Sequence, residues 1–289
     1  MGSGVRQGSS ISPSLFNLFI NKFLSSLRQC NSGCKMSGRF VGAIMYADDL
    51  IILSASVDGL QKMLHCCELS CADLLLEFNC SKCSCIAIGP ASKAHITNML
   101  LCQLAIPWSA NFKYLGVNFI ASNKLSVDIN YTKRKFFVSC NCILGNTRSL
   151  DDIIKLNLIE SYCLPILTYV VAALKLSNQQ ISELNSSWNS VYRRIFGFNK
   201  WESVRSFING IGRLDFEHLR LFLLLKFYHS ALQSSNETFR FVVTLSYLSA
   251  SFKNVYLRAG LELNELNRFV FNSINRLCKS VQRVFASSV

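Results

Sequence analysis

The stretch that decides the fold is Ala43-Ile44-Met45-Tyr46-Ala47-Asp48-Asp49-Leu50-Ile51-Ile52-Leu53. It belongs to two short apolar runs, residues 40–45 and 50–55, which only residues 46–49 separate. Two such runs with a short break between them are typical of a β-hairpin. We predict that residues 39–55 form an antiparallel hairpin with Asp48 and Asp49 at or beside its turn.

The two adjacent carboxylates of Asp48 and Asp49 are unusual within so apolar a stretch. A buried charge without a cation or a hydrogen-bond donor costs several kcal/mol per ion, so a bound metal is the expected compensation. The alternative is an exposed hairpin tip whose carboxylates only contact water. Both flanking strands are expected to be buried, and this expectation favours the metal.

Paired oxygen ligands suit nucleotidyl transfer, in which two Mg²⁺ ions about 4 Å apart bind the attacking and leaving oxygens. Neighbouring strand residues face opposite sides, so we expect Asp48 to face the metal and a further carboxylate to come from another strand. Residues 1–47 contain neither Asp nor Glu. The next carboxylates lie on or beside a predicted helix: Asp58, Glu68, Asp73 and Glu77. The sequence thus predicts only part of a two-metal site.

Helical spacing precedes the hairpin. Ser12 followed by Pro13 is typical of a helix start, and apolar positions recur at helical spacing until residues 31–33. The rest of the N-terminal pattern predicts, in order, a helix over 57–77 and strands over 83–88 and 112–119. This alternation predicts an α+β fold in which helices pack on one face of an antiparallel sheet.

The C-terminal part differs in both pattern and charge. From about residue 126 the apolar positions are spaced by three or four, which indicates helices. We therefore expect an α+β part over 1–122 and an all-helical part over 123–289. The chain carries a net charge of +13, of which residues 1–90 supply +1 and residues 91–289 supply +12. This excess favours a polyanionic partner, and nucleic acid before membrane.

Two basic clusters stand out in the helical part. Lys133, Arg134 and Lys135 precede a pair of phenylalanines, and Arg193 is followed by Arg194. Charge runs usually form a solvated helix face, but the concentration of positive charge here favours contact with nucleic-acid phosphates. Such contacts carry no base specificity.

The composition excludes several classes of protein. The longest uncharged apolar run, residues 162–174, is 13 residues long, whereas a bilayer span needs about 20. The N-terminus lacks the pattern of a signal peptide. We expect no membrane partner and an intracellular location, cytoplasmic or nuclear rather than secreted.

The thirteen cysteines are expected to be reduced thiols. Cys80 and Cys83 have the C-x₂-C spacing of a zinc site, but no second well-spaced pair accompanies them. Cys66, Cys67 and Cys71 fall on the apolar side of a predicted helix. Core packing is therefore the expected use of this cluster, which also includes Cys85.

Several motifs, taken in order, resemble the palm of a reverse transcriptase, particularly that of non-LTR retrotransposons. They are Gly4-Val5-Arg6-Gln7-Gly8, Ser12-Pro13, Leu15-Phe16-Asn17-Leu18 and Tyr46-Ala47-Asp48-Asp49. Residues 76–79 with Lys82 resemble the next palm motif, and residues 112–117 resemble the strand pair that grips the primer. The helical remainder resembles the thumb and the region after it.

This resemblance implies a role for each matched residue. Asp48 and Asp49 would be metal ligands at the primer end, and Lys82 would approach the departing pyrophosphate. Gln7, Gly8 and Tyr46 would lie near the template and the incoming nucleotide. The alternative interpretation of Tyr46 is an ordinary aromatic residue on a half-buried strand. The basic residues of the thumb would contact the nucleic-acid backbone. The implied cofactor is Mg²⁺ or Mn²⁺, and the implied partners are an RNA template, a DNA primer and deoxynucleoside triphosphates.

The resemblance also shows a departure from the family. There, a strand before the Gln-Gly motif carries the first metal-binding aspartate, and the fingers precede that strand. The sequence given contains neither, so we expect a truncated polymerase that is inactive as this chain. The alternatives are a non-catalytic nucleic-acid-binding module and a degenerate retrotransposon remnant.

Overall fold

The computed structural model describes residues 8–90, 97–171 and 174–247. The chain divides into two compact units. The first comprises Met1–Phe112 and Ile120–Leu125, and the second comprises Lys113–Phe119 and Ser126–Val289. Helices and small antiparallel sheets make up the described residues, which confirms the predicted α+β class.

The first unit contains two helices and several short strands. In chain order these are α1 (Ser12–Gln29), β1 (Lys35–Met36), β2 (Arg39–Phe40), β3 (Ala43–Tyr46), β4 (Asp49–Ile52), α2 (Val57–Asp73), β5 (Met99–Leu101) and β6 (Leu104–Ile106). The strands pair antiparallel as β1 with β2, β3 with β4 and β5 with β6. The described residues therefore form separate two-stranded hairpins here, where the sequence predicted one sheet.

Helix α1 begins one residue earlier than predicted. Ile11 is the N-cap residue, and Ser12 is already helical, so the predicted cap at Ser12 is wrong. The cap makes no side-chain hydrogen bond, and Pro13 lies in the first turn, where its missing N–H costs nothing. The helix ends at Gln29, before Asn31 takes a positive φ of 54°.

Helix α2 contributes to the buried cluster against which the hairpin β3–β4 packs. The Ser56 side chain caps α2 by accepting a hydrogen bond from Gly59 N at 3.1 Å. One face of α2 packs against α1 in a buried cluster. Its fully or nearly buried members are Ile20, Phe23, Leu27, Met63, Cys67 and Cys71, and the inward residues of the hairpin pack against them.

Two predicted strands differ from the structure. Residues 83–88 form no strand; a single bridge joins Cys85 to Trp108, because the apolar residues there fill a small core cluster instead of extending a ladder. The predicted strand over 112–119 is a hairpin, β7 (Asn111–Tyr114) and β8 (Val117–Ile120). Its turn consists of Leu115 and Gly116, with φ of 44° and 81°. Two successive positive φ values suit a tight hairpin turn. Strand β9 (Ser126–Val127) joins the same sheet.

The second unit is mainly helical, as the spacing predicted. Its helices are α3 (Ile129–Asn146), α4 (Asp152–Tyr162), α5 (Leu164–Thr168), α6 (Asn178–Phe196), α7 (Arg205–Gly210), α8 (Phe216–Leu232) and α9 (Glu237–Tyr247). Aromatic side chains occupy the centre of its core, where the Phe136 and Trp188 ring centroids are 6.3 Å apart and those of Trp188 and Tyr192 are 5.3 Å apart. In the part of the chain that the structure describes, no helix is both long and apolar enough to cross a bilayer.

Candidate active site and nucleic-acid interface

The paired aspartates lie at the turn of the hairpin β3–β4. The register pairs Ala43 with Ile52 and Tyr46 with Asp49, so the turn consists of Ala47 and Asp48 alone. The predicted hairpin is confirmed over residues 43–52, but Arg39–Phe40, which the prediction included, pairs with Lys35–Met36 instead. Asp48 is a turn residue and Asp49 is the first residue of a strand, so the strand alternation that we used to orient Asp48 does not apply to it.

A single strained residue forms the first half of this turn. Ala47 has a φ of 52°, a conformation that favours glycine and costs a residue with a Cβ roughly 1–2 kcal/mol. The pairing of β3 with β4 on both sides holds the turn in this conformation. The main chain therefore reverses direction within two residues, and both carboxylates lie at the turn end of the hairpin.

The site is exposed, contrary to our expectation. Asp48 and Asp49 are both exposed, and the flanking strand is half open to solvent, with Ile44 49% and Tyr46 64% exposed. The inference of a metal from the cost of burying charge is therefore wrong. The reason is that one face of the hairpin packs against the cluster between α1 and α2, whereas Ile44 and Tyr46 on the opposite face of β3 are exposed.

The electrostatic surroundings of the turn still suit a cation. Within the residues that the structure describes, neither the Asp48 nor the Asp49 side chain makes an ion pair or a hydrogen bond. Two adjacent, solvated carboxylates are hard oxygen ligands of the type that Mg²⁺ takes together with water and phosphate. The described residues contain no group of three or more His, Cys, Asp or Glu side chains placed so that they could hold a metal ion. These two residues fit a divalent ion as a partial ligand set.

Tyr46 lies opposite Asp49 in the hairpin register, whereas no hydrogen bond or ion pair joins Gly8 or Lys82 to the aspartates in the described part of the chain. Gly8 is exposed and has a φ of 83°, with open space where a Cβ would be. Gln7 lies outside the described residues. Lys82 is exposed at the end of a 3₁₀ turn, Cys80–Lys82, and its main-chain N–H donates to Asn79 O at 3.0 Å.

The first basic cluster lies on α3, and its three residues differ in their contacts: one is ion-paired and two are exposed. The Lys133 ammonium forms an ion pair with Glu183 at 2.6 Å, and its side chain is only 23% exposed. Hydrogen bonding from Lys133 lowers the pKa of Glu183. Arg134 and Lys135 are exposed, and the Lys135 ammonium lies 4.8 Å from the Tyr131 ring centroid. Lys133 is therefore neutralised by a partner, whereas its two neighbours remain open to solvent.

The second basic cluster lies at the C-terminal end of α6. Arg193 donates from Nε to Glu202 O at 2.8 Å, and Arg194 donates to the side-chain oxygen of Asn141. Both acceptors are neutral, so these hydrogen bonds pair neither guanidinium with an opposite charge. In addition, the helix ends at Gly197, whose φ of 70° closes the last turn.

The cysteine cluster is largely buried. Cys67 is fully buried and Cys71 nearly so between α1 and α2, and Cys85 belongs to the neighbouring small core. Burial raises the pKa of the Cys85 thiol to about 11, and burial together with Cys30 raises that of Cys66 to about 11. Neutral thiols in apolar surroundings act as small hydrophobic side chains, which agrees with core packing. Cys80 and Cys83 are half-buried.

One contact near the second hairpin was not predicted. The Tyr169 hydroxyl donates to Leu115 O at 2.8 Å and so fixes the turn between β7 and β8 from the helical side of the same unit. The two residues are 54 positions apart, and no local pattern links them. Only the tertiary structure reveals the pair.

Comparisons with known proteins point to one family. Residues 2–119 match the family model described as reverse transcriptase (RNA-dependent DNA polymerase). This match includes the β3–β4 turn and supports the resemblance of this part of the chain to a reverse transcriptase. The first two relatives below are polyproteins of retrotransposable elements, which supports the resemblance to the retrotransposon type.

The chain is 33% identical over 138 residues to the Pol polyprotein of the type-1 retrotransposable element R2 of Nasonia vitripennis. It is 29% identical over 130 residues to that of the type-2 element R2DM of Drosophila melanogaster. These matches cover 44% and 42% of this chain but only 13% and 12% of the polyproteins. A Caenorhabditis elegans protein described as transposon-derived and uncharacterised, F52C9.6, is 25% identical over 179 residues, which cover 56% of this chain and 59% of that protein.

Proposed function

We propose that this chain takes part in RNA-templated DNA synthesis by two-metal nucleotidyl transfer, with Asp48 and Asp49 as metal ligands. The observation that carries the proposal is the turn itself, since two solvated, unpaired carboxylates project from a tight hairpin inside the segment matched to the reverse transcriptase family. Residues 1–122 would act as the later palm, and residues 123–289 as the thumb and the region after it.

In this proposal the residues of the chain have separate tasks. Mg²⁺ or Mn²⁺ at Asp48 and Asp49 would supply charge stabilisation for the attacking and leaving oxygens. Lys82, Gln7, Gly8 and Tyr46 would contact the triphosphate and the template strand. Exposed Arg134 and Lys135 on α3, with the two arginines that end α6, would hold the nucleic-acid backbone by charge. Because Lys133 already pairs with Glu183, we assign it a weaker role in phosphate contact.

We also propose that the 289-residue chain alone does not extend a primer. Two carboxylates cannot hold two metal ions in register, and a displacement of about 1 Å can cost 10²-fold in rate. Two observations support this proposal. Residues 1–47 contain no Asp or Glu, and the described residues place no third metal ligand beside Asp48 and Asp49.

Primer extension tests this proposal. The purified chain is given an RNA template, a DNA primer, deoxynucleotides and either Mg²⁺ or Mn²⁺, and no extension is expected. A chain lengthened upstream by a reverse transcriptase segment that carries the first aspartate should extend the primer, and Asp48→Asn should abolish that extension. Asp58→Asn, at an exposed position on α2, is the matched control and should leave it unchanged.

Two outcomes would contradict the proposal. Extension by the unmodified chain that Asp48→Asn removes would show that another carboxylate completes the site. Extension by the lengthened chain that survives both Asp48→Asn and Asp49→Asn would remove the turn from the mechanism.

The second candidate is a non-catalytic nucleic-acid-binding module, which the unpaired arginines of α6 favour. Binding without extension, even in the lengthened chain, would support it.

A further inference from the structure

A short turn after α6 presents a fully solvated tryptophan. Trp201 is 87% exposed, although both flanks of its loop are anchored in the core of the second unit. Val204 is 1% exposed, and the Phe198 ring packs against Phe207 with centroids 5.1 Å apart. The Trp201 side chain is therefore exposed to solvent, whereas Phe198 and Val204 on either side of it are packed in the core of the unit.

Hydrogen bonds define the shape of this turn. Glu202 N donates to Asn199 O at 3.1 Å, and Asn199 N donates to the Glu202 carboxylate at 2.6 Å. Arg193 Nε donates to Glu202 O at 2.8 Å and ties the turn to the end of α6. Because these bonds close the loop without using residues 200 and 201, the exposed ring contributes nothing to holding the turn.

One cation lies over the ring, and two more lie at the end of the helix that precedes this turn. The Lys200 ammonium lies 4.8 Å from the Trp201 ring centroid, and Arg193 and Arg194 end the adjoining helix. Among the described residues, none of these three cations makes an ion pair. The carboxylate of Glu202, the next residue along the chain, accepts a hydrogen bond from the Asn199 N–H. In a single-stranded nucleic acid, a base can stack on an exposed indole while cations beside the ring contact the phosphates.

We propose that Trp201 is a stacking platform for one base of a single-stranded nucleic acid, with Lys200, Arg193 and Arg194 contacting the adjoining phosphates. The proposal deepens the proposed function and rests on its assignment of nucleic-acid contact to the end of α6. It adds a base contact that is tolerant of sequence, because every base has a face on which an indole can stack.

The experiment uses the whole 289-residue chain with fluorescein-labelled ten-nucleotide strands of uridine, of thymidine and of abasic deoxyribose phosphate. Trp201→Ala should weaken binding to a base-bearing strand by about 5- to 150-fold and leave binding to the abasic strand unchanged. Trp201→Phe should retain most of the affinity. The ribose and deoxyribose arms distinguish RNA from DNA as the strand that is held.

The controls separate stacking from charge and from folding. Tyr162→Ala removes another aromatic, 70% exposed at the end of α4, and should not change binding. Arg194→Gln should weaken binding to all strands and lower the slope of log K against log[salt] by about 0.7. Thermal unfolding of Trp201→Ala should match that of the wild type because the ring is solvated.

The possible failures are distinguishable. If Trp201→Ala binds base-bearing strands as well as the wild type does, or weakens abasic binding equally, the stacking role is overturned while backbone contact by the arginines stands. If the wild type binds no strand, both the stacking role and the proposed nucleic-acid contact fall.

Discussion

Asp215 combines a helix cap with two charged contacts in the helical unit, so its loss should destabilise that unit. Its side chain is only 9% exposed, caps α8 by accepting from His218 N at 2.9 Å, and contacts His218 Nδ1 at 2.7 Å and Arg205 Nε at 3.0 Å. A helix cap contributes about 1 kcal/mol, and a hydrogen bond to a charged group about 1.5–3 kcal/mol. The pair with exposed Arg205 adds less than about 1 kcal/mol.

Because these contributions overlap, we expect Asp215→Ala to lower the free energy of unfolding by about 2–4 kcal/mol. Asp215→Asn keeps an oxygen for the cap and should cost about 1–2 kcal/mol. Urea unfolding of the whole chain, followed by circular dichroism, measures both. Equal stability of Asp215→Ala and the wild type would refute the reasoning.

The pH dependence supplies an independent check. Burial raises the pKa of the Asp215 carboxyl, but hydrogen bonds from His218 and the charges of His218 and Arg205 outweigh it, so the net pKa is lowered. A carboxyl with a lowered folded-state pKa stabilises the protein above its unfolded pKa of about 3.9 and loses that contribution as the pH falls through the folded value. The stability gap between wild type and Asp215→Asn should therefore narrow below pH 4. A gap that widens in acid would contradict the assignment.

Three further predictions concern single residues. Ala47→Gly should raise stability by about 0.5–1 kcal/mol in urea unfolding, because it relieves the positive φ at the aspartate turn; a loss would contradict the strain. Phe136→Ala should cost about 3–5 kcal/mol in the same assay, whereas Val138→Ala, at a position 69% exposed on the same helix, should stay within about 0.5 kcal/mol. Cys67→Ser should destabilise more than Cys67→Ala because it buries a hydroxyl, and elemental analysis of the reduced protein should find no zinc; stoichiometric zinc would overturn core packing.

Local pattern was sufficient to predict the first two helices and the hairpin that carries the paired aspartates. Helical spacing located α1 and α2, and the two apolar runs located the hairpin that carries Asp48 and Asp49. These features depend on near neighbours in the chain, whose periodicity and turn residues are visible in the sequence. The same reasoning failed over residues 83–88, since an apolar run fits a core cluster as well as it fits a strand.

Burial and pairing required the tertiary structure. The sequence determined that two carboxylates lie together between apolar runs, and it determined the basic character of the helical part. Only the fold decided that those carboxylates are solvated, because exposure depends on which elements cover each face of the hairpin. Only the fold decided that Lys133 is paired with Glu183, 50 residues away, while Arg194 keeps its charge and Trp201 stands in solvent. Contacts between distant residues follow from packing, which no local pattern encodes.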